Sequence, residues 1–264
     1  MSLFFAKDIT AGYGKQPVIK DVSFSLDSGC LMGVLGANGS GKTTLLKAIC
    51  GILPHEGTCE LDGTALETLS SRQMAKQCSY IPQRSGITID ISCLDVVLMG
   101  FNPQLGLLEH PNNEMREKAV QALALVGLSG KEEANYLHLS EGQKQLCILA
   151  RTLVSGSKLL LLDEPESALD FRFRYQMLER LKAWLTEARR AAIVTLHDGM
   201  LALNDCDKLL LLSEGTVLGT IHPRLDPLDK MEPLLSGIYG PVTLQRCRNR
   251  GGREYLVMLK EDEL

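Results

Sequence analysis

The stretch Gly36-Ala37-Asn38-Gly39-Ser40-Gly41-Lys42-Thr43-Thr44 matches the phosphate-binding loop pattern G-x-x-x-x-G-K-[ST] at every fixed position. Residues 30–35 before it are apolar and suit a buried strand, and residues 45–49 after it suit the first turns of a helix. Strand, glycine loop and helix are the context that the pattern requires. The glycines let backbone N–H groups close on an anion, and the helix N-terminus adds partial positive charge. The sequence therefore predicts a nucleoside triphosphate site.

Two side chains of this loop have predicted roles of their own. Lys42 is expected to reach the β- and γ-phosphates, and the hydroxyl of Thr43 is expected to help hold Mg²⁺. The other loop positions predicted to bind the nucleotide are Asn38, Gly39, Ser40, Gly41 and Thr44. The alternative is a glycine-rich turn before an ordinary core helix, which would require every fixed position to be filled by coincidence.

Composition and charge limit the class of protein. The 264 residues allow one large domain or two modest ones. A formal net charge of −4 gives no electrostatic reason to expect binding to nucleic acid or to a membrane surface. No apolar run approaches the roughly 20 residues of a bilayer span, and the N-terminal segment lacks the basic residues of a signal peptide. We therefore expect a cytoplasmic protein.

The cysteines are informative through their spacing. All eight are scattered singly, and no C-x-x-C pair occurs. This spacing disfavours a zinc site or a secreted disulfide framework, and it favours small buried hydrophobic side chains in a reducing compartment.

The hydrophobic pattern divides the chain into regions. Residues 3–27 alternate apolar and polar, which predicts antiparallel strands. From Gln83 to about Val154 helical periodicity replaces the strand signals, and beyond it strands alternate with helices, which predicts a largely parallel sheet. We expect a nucleotide-binding domain over residues 1–222, with a helical subdomain at about 84–154 inserted in its α/β core. Residues 223–264 are expected to form a small C-terminal α/β appendage.

An apolar run, Leu159-Leu160-Leu161-Leu162, ends in Asp163 and Glu164 and suits a strand that is covered on both faces. A carboxylate at the end of such a strand, beside a phosphate loop, is placed to hold Mg²⁺, which predicts that role for Asp163. Glu164 should point elsewhere and polarise an attacking water. The alternative is an acidic turn of the kind that is common at strand ends.

A third segment, Leu139-Ser140-Glu141-Gly142-Gln143, opens a predicted helix. On spacing alone, Ser140 is only the N-cap of that helix.

Together these segments resemble the ATP-binding cassette (ABC) ATPases over about residues 3–220. The stretch at Ser140 resembles that family's LSGGQ signature, Gly36–Thr44 its Walker A motif, and Asp163-Glu164 its Walker B motif with the general base. By the same resemblance Tyr13 is the aromatic that stacks on adenine, Gln83 the Q-loop glutamine, Ser167–Asp170 the D-loop and His197 the switch histidine. The resemblance implies a P-loop NTPase (RecA-like) α/β core with an N-terminal antiparallel β-subdomain and a helical insertion subdomain.

The resemblance also implies chemistry and assembly. ATP and Mg²⁺ are the expected cofactors, and two copies are expected to form a homodimer with ATP sandwiched between Walker A of one and the signature of the other. The residues implied to complete the site across that interface or around the γ-phosphate are Ser140, Gly142, Gln143 and Asp170. The residues implied in catalysis are Lys42, Gln83, Glu164 and His197, with Gln83 directed to Mg²⁺ or to the attacking water.

Two positions depart from the family pattern. Glu141 replaces the second glycine of the signature, where a carboxylate would repel phosphate unless it swings outward. Glu166 replaces the usual threonine after the Walker B proline, so the neighbourhood of the D-loop is more acidic than usual.

Further segments resemble the ATPases of metal-chelate importers, which move ferric siderophores, heme or cobalamin. These segments are residues 61–63, 69–72, 80–83, 99–106 and 234–240, the last resembling the subfamily's C-terminal helix and strand. Phe101, Asn102 and Gln104 differ from the subfamily's usual residues. The resemblance implies a subunit peripheral on the inner face of the cell membrane. Its partners would be integral-membrane permease subunits, docked around residues 84–106, and indirectly a substrate-binding protein, but no nucleic acid.

Three alternatives stay open at this point. A non-transport ABC ATPase of DNA repair or translation would normally carry a long coiled coil or a second cassette, and this chain has neither. A P-loop kinase or GTPase would leave the signature and His197 unexplained. An exporter or an importer of another substrate class would share the same ATPase motifs.

Overall fold

The computed structural model describes residues 2–83, 86–106, 108–167, 169–186 and 188–261. The strands in these ranges are β1 (Ser2–Tyr13), β2 (Gln16–Asp27), β3 (Leu31–Leu35), β4 (His55–Leu61), β5 (Thr64–Ala65), β6 (Cys78–Ile81), β7 (Leu159–Asp163), β8 (Ala191–Thr195), β9 (Lys208–Ser213), β10 (Thr216–Ile221), β11 (Val242–Arg248) and β12 (Glu254–Lys260). The α-helices are α1 (Lys42–Ile49), α2 (Ser71–Gln77), α3 (Cys93–Leu98), α4 (Asn113–Leu125), α5 (Glu141–Leu153), α6 (Phe171–Thr186), α7 (Gly199–Asp205) and α8 (Leu228–Tyr239).

The central sheet has the strand order β10-β9-β3-β8-β7-β6. Strands β9, β3, β8, β7 and β6 are parallel, and β10 is an antiparallel edge strand. Every residue of β3, β7 and β8 is buried, as expected for parallel strands covered on both faces. Their carboxyl ends meet at one edge of the sheet, and the loops with the predicted chemistry leave from that edge.

The two faces of this sheet pack against different layers. Along β3, Leu31 and Leu35 face one apolar cluster, whereas Met32 and Val34 face the other. The first cluster includes α3 to α8, and the second includes α1 and the antiparallel sheet β2-β1-β4-β5. The predicted fold class is confirmed: an α/β core carries an N-terminal antiparallel sheet on one side and helices on the other.

The C-terminal elements pack back onto the core. The side chain of Asn204 in α7 donates to the carbonyl of Leu256 (2.9 Å) and accepts its N–H (2.8 Å), which anchors the β11–β12 hairpin. Pro233 lies inside α8. Residues 234–240 resemble a helix followed by a strand in sequence, but 234–239 are all helical and β11 begins only at Val242.

The helices α6 and α7 differ in how well the sequence predicts them. Helical periodicity predicts that α6 continues to about Ala188, and its described part spans Phe171–Thr186, next to Glu187, which lies outside the described residues. The helix α7 is not predicted, because its seven residues are too few for a clear period. Of the helices in the described ranges, none is long and apolar enough to cross a bilayer.

Candidate nucleotide site

The phosphate loop connects the buried end of β3 to the first residue of α1. Gly41 precedes the helix with φ 100°, a conformation that side chains other than glycine's rarely adopt. A Cβ at Gly41 would lie 2.4 Å from Cγ2 of Ile19 on β2. The loop can therefore close over β2 only with glycine at this position.

Lys42 is folded into its own loop. Its Nζ donates to the carbonyls of Gly36 (2.9 Å) and Ala37 (3.3 Å), and the residue is only 5% exposed. Burial lowers the pKa of Lys42. Three nearby carboxylates raise it and so oppose that shift; Glu164 has the largest effect, followed by Asp163 and Glu166. A buried cation at a helix N-terminus fits an anionic ligand.

Ser40 gives a second sign of a ligand in the loop. Its Oγ is buried and has no hydrogen-bond partner among the described residues. Buried hydroxyls are normally paired, so an orphaned one in a phosphate loop fits a missing acceptor such as a phosphate oxygen. Of the other predicted loop residues, Thr44 is buried in the first turn of α1, whereas Asn38 and Gly39 are exposed.

Asp163, at the end of β7, is the meeting point of three hydroxyls. Its Oδ1 accepts from Thr43 Oγ1 and Thr195 Oγ1, both at 3.0 Å, and its Oδ2 accepts from the Tyr80 hydroxyl at 3.0 Å. Adjacent ligands of an octahedral Mg²⁺ lie about 2.9 Å apart, because its bonds are about 2.0–2.1 Å long. The pair of oxygens from Thr43 and Asp163 therefore fits the edge of such a site.

Glu164 turns away from Asp163 because its backbone is left-handed, with φ 49°. Its N–H donates to Thr195 Oγ1 at 2.9 Å, which holds that turn. Its carboxylate receives the Gln83 side-chain amide on Oε2 (2.7 Å) and faces His197 Nε2 from Oε1 (2.6 Å). Three of the predicted catalytic residues thus meet at one carboxylate. Such a group can take a proton from water.

Glu164, with Gln83 and His197, forms what we call the carboxylate cluster. Glu166 lies next to it and is 2% exposed. Its Oε1 accepts the backbone N–H of His197 at 3.2 Å, and its Oε2 is buried without a partner among the described residues. Burial raises the pKa of Glu166 and so favours its neutral form. The sequence suggests extra negative charge here, but burial works against that charge.

We expect Glu166→Gln to be more stable than the parent chain at pH 8 and equally stable in acid. The pKa of Glu166 is higher in the folded chain than in the unfolded chain. Below the unfolded-state pKa the carboxyl is protonated in both states and does not lower the free energy of unfolding. That free energy falls as the pH rises from the unfolded-state pKa through the folded-state pKa. Glutamine cannot ionise, yet it still offers an oxygen to the His197 N–H. Thermal unfolding at both pH values measures the effect, and lower stability of Glu166→Gln at pH 8 would contradict it.

The signature segment shows the capping role that its spacing indicates. Ser140 Oγ accepts the N–H of Gln143 (3.3 Å), and Gln143 Oε1 accepts the N–H of Ser140 (3.2 Å), a capping box at the start of α5. Gly142 follows in the first turn. Contact of these residues with ATP needs a second copy of the chain and stays a prediction.

Glu141 swings outward, as its position requires if phosphate is to approach. Its side chain is 75% exposed and pairs with Lys144 at 2.7 Å. At the first position of α5 its charge also interacts favourably with the helix dipole.

We expect Glu141→Gly to leave the ATPase rate equal or to raise it a few-fold. The change removes a negative charge beside the predicted phosphate position and restores the glycine of the family pattern. Weakening of the helix start should cost about 1 kcal/mol of stability. Steady-state ATPase assays test this, with Lys144→Ala as the control that breaks the same ion pair. A large loss of activity in Glu141→Gly alone would show that Glu141 has a positive role.

Tyr13 and Asp170 lie outside the carboxylate cluster. Tyr13 ends β1, is 56% exposed and lines a cavity of about 620 Å³. A ring beside such a cavity can stack on a base. Asp170 Oδ1 accepts the N–H of Phe173 at 3.0 Å and caps α6. Ala168 of the predicted D-loop, and Arg84 and Ser85 of the predicted docking segment, lie outside the described residues.

Sequence reasoning missed three residues of the site: Tyr80, Thr195 and Gln145. Tyr80 and Thr195 bind Asp163, and Gln145 of α5 donates its amide to the carbonyl of Gln83 at 2.5 Å. Asp163 and Thr195 are paired in register at the ends of neighbouring parallel strands. The sequence shows both strand ends, but it marks Thr195 as a candidate only once β7 and β8 are known to be neighbours, and no sequence signal marks Gln145.

Comparisons with known proteins agree with this geometry. Residues 19–167 match the ABC transporter family. The chain is 39% identical over 218 residues to the hemin import ATP-binding protein of Pseudomonas fluorescens, covering 80% of this chain and 83% of that protein. It is 36% identical over 232 residues to the protein of the same description from Bordetella pertussis, covering 84% and 87%. An inward-facing metal-chelate type ABC transporter superposes with a TM-score of 0.82 at 25% identity, covering 99% of both chains.

Proposed function

The chain belongs to the ATP-binding cassette family of transporter ATPases, and on that premise we propose that it powers the import of heme or a related metal chelate. The observation that carries the ATPase activity is the convergence of Gln83 and His197 on Glu164, next to Lys42 and the Thr43–Asp163 pair. The cargo class rests on the 36–39% identity to hemin import ATP-binding proteins.

The residues divide the work of hydrolysis. Lys42 exchanges the loop carbonyls for phosphate oxygens, and the backbone N–H groups of the loop hold the remaining negative charge. Mg²⁺, which Thr43 and Asp163 would hold, supplies charge neutralisation at the phosphates. Glu164 takes a proton from the attacking water. The contacts of Gln83 and His197 with its carboxylate hold that group in position. Tyr13 stacks on the base.

Two copies are proposed to form a dimer through bound ATP. The N-terminus of α5, with Ser140, Gly142 and Gln143, offers donors and a positive dipole to the γ-phosphate held by the other copy, and Asp170 borders the same interface. Gln145 of α5 donates a hydrogen bond to the backbone carbonyl of Gln83. Movement of the signature helix α5 would therefore displace Gln83, which is a hydrogen-bond partner of Glu164. Closure with ATP and opening after hydrolysis would shift the permease between two states.

Residues around 84–106, of which the structure describes 86–106, are the proposed docking surface for a permease on the inner face of the membrane. Arg72 of the core donates to the carbonyls of Pro103 (3.2 Å) and Leu105, and Gln104 donates to the carbonyl of Ser155 at 2.9 Å. These bonds connect the segment to α2 and to the turn after α5, while Ile89 stays 57% exposed.

In this scheme residues 1–222 form the nucleotide-binding domain, with the helical subdomain at about 84–154, and residues 223–264 form the appendage.

The test is capture from native membranes. Tagged Glu164→Gln protein with ATP and Mg²⁺ should retain a multi-span permease after detergent extraction, and ATP omitted from the same preparation should reduce that yield. The permease identified in this way, assembled with the parent chain and supplied with its binding protein, should show ATPase stimulation by heme above that by cobalamin or a ferric siderophore. Recovery of soluble partners alone would refute the importer function, and stimulation only by another cargo would refute the heme assignment.

A further inference from the structure

Three metal-binding side chains converge on the antiparallel sheet, away from the carboxylate cluster. His55 and Cys59 belong to β4, and Glu67 belongs to the short 3₁₀ turn Leu66–Thr68. One nitrogen, the sulfur and one carboxylate oxygen all lie within 4.8 Å of one another. His55 Nε2 lies 3.3 Å from Glu67 Oε1.

The local backbone explains why these side chains meet. Gly57, between the two strand residues, has φ 90°, and the pairing of β4 with β1 shifts register beside it. A Cβ at Gly57 would lie 2.4 Å from the carbonyl oxygen of Asp8, so glycine is required there. The register shift leaves Asp8 and Ile9 of β1 opposite Gly57, so the extra residue of this bulge lies on β1, and the local twist of the strand pair increases there. The backbone N–H of Cys59 donates to Glu67 Oε1, which fixes the carboxylate next to the thiol.

The donor set matches zinc. Imidazole nitrogen, thiolate sulfur and carboxylate oxygen are the ligands that Zn²⁺ takes in proteins, with bonds of about 2.0–2.3 Å. Ligands of a tetrahedral site therefore lie about 3.3–3.6 Å apart, and the present group, in which no separation exceeds 4.8 Å, needs to close by at most about 1.2 Å. We propose that His55, Cys59 and Glu67 bind one Zn²⁺ ion. The thiol proton leaves to solvent as the S–Zn bond forms.

The surroundings suit an enclosed site with an entry route. The side chain of His55 is 8% exposed and Cys59 is fully buried, whereas Glu67 is 32% exposed. Glu67 also lines a cleft of about 430 Å³, so its carboxylate is the one of the three ligands that an ion and a fourth ligand, water, would reach first. The absence of C-x-x-C in the sequence disfavours only zinc sites of that spacing; these ligands come from a strand and a turn.

The site would stabilise the strand pair that carries Tyr13. His55 is paired with Ala11 of β1, two residues before Tyr13. An ion bound only by the folded chain raises the unfolding temperature by mass action. Zinc binding by these three residues requires neither the transported cargo nor ATP hydrolysis.

Cobalt and zinc titrations test the site. Chelator-treated protein, with Mg²⁺ in excess to fill the all-oxygen nucleotide site, is titrated with Co²⁺. We expect one Co²⁺ per chain, a sulfur-to-cobalt charge-transfer band in the near ultraviolet, visible bands of tetrahedral cobalt, displacement by Zn²⁺ and a higher unfolding temperature. Cys59→Ser should abolish the charge-transfer band, and His55→Gln and Glu67→Gln should each weaken binding at least ~10-fold. Cys247→Ser, at an exposed thiol, is the matched control and should behave like the parent chain.

The proposal fails if the parent chain gives no cobalt–thiolate band, or if the band and affinity persist in all three ligand variants. Should Cys59→Ser not fold, because that residue is fully buried, His55→Gln and Glu67→Gln decide the question.

Discussion

Glu164→Gln is expected to lower the rate of ATP hydrolysis about 10³-fold while ATP affinity changes less than ~2-fold. A positioned general base contributes about 10²–10⁴-fold, and glutamine cannot take up a proton from water. The variant keeps the size of the side chain, and its carbonyl oxygen can still accept a hydrogen bond from Gln83 or His197. The backbone turn at φ 49° should survive, because the hydrogen bond from the N–H to Thr195 does not involve the side chain.

Single-turnover hydrolysis and equilibrium ATP binding measure the two quantities separately. Size-exclusion chromatography with ATP should show the variant held as a dimer, since the step that opens it is blocked. Glu214→Gln is the matched control, because Glu214 has the same left-handed backbone (φ 48°) in an exposed turn. Rapid hydrolysis by Glu164→Gln would remove Glu164 from the role of base, whatever the control shows.

The parts of the site that the sequence predicts are those set by local chain geometry. A strand, a glycine loop and a helix follow one another around Gly36–Thr44, and the apolar run before Asp163 suits a covered strand. Both patterns use contacts between neighbours in the chain. The helical segment and the parallel sheet follow from the change in periodicity for the same reason.

What the sequence does not predict depends on which strands become neighbours. Tyr80 reaches Asp163 only because β6 lies beside β7, and Thr195 does so because β8 lies on the other side. The burial of Glu166 is likewise a product of tertiary packing, so its sequence position alone suggests an exposed charge. The group of His55, Cys59 and Glu67 depends on a tertiary contact between β4 and the 3₁₀ turn Leu66–Thr68, which no periodicity indicates.

Lys42→Ala is expected to lower ATP affinity at least ~100-fold and to abolish hydrolysis. A hydrogen bond to a charged group is worth about 1.5–3 kcal/mol, and Lys42 is expected to make such bonds to two phosphates. Without it, the carboxylates of Asp163, Glu164 and Glu166 would face the triphosphate with no buried cation between them. Isothermal titration with ATP measures the loss, and Lys47→Ala, near the end of the same helix, controls for a general effect of removing a lysine from α1.

Lys42→Arg tests whether ATP affinity depends on the positive charge alone or also on the size and shape of the group that carries it. The loop closes around the ammonium group through the carbonyls of Gly36 and Ala37, at 2.9 and 3.3 Å, and the residue is almost fully buried. A planar guanidinium is larger and cannot occupy the same space, so the arginine variant should lose most of the ATP affinity although the charge is kept. Affinity near that of the parent chain in Lys42→Arg would show that charge alone is sufficient. Unchanged affinity in Lys42→Ala would place the triphosphate elsewhere and overturn the assignment of this loop.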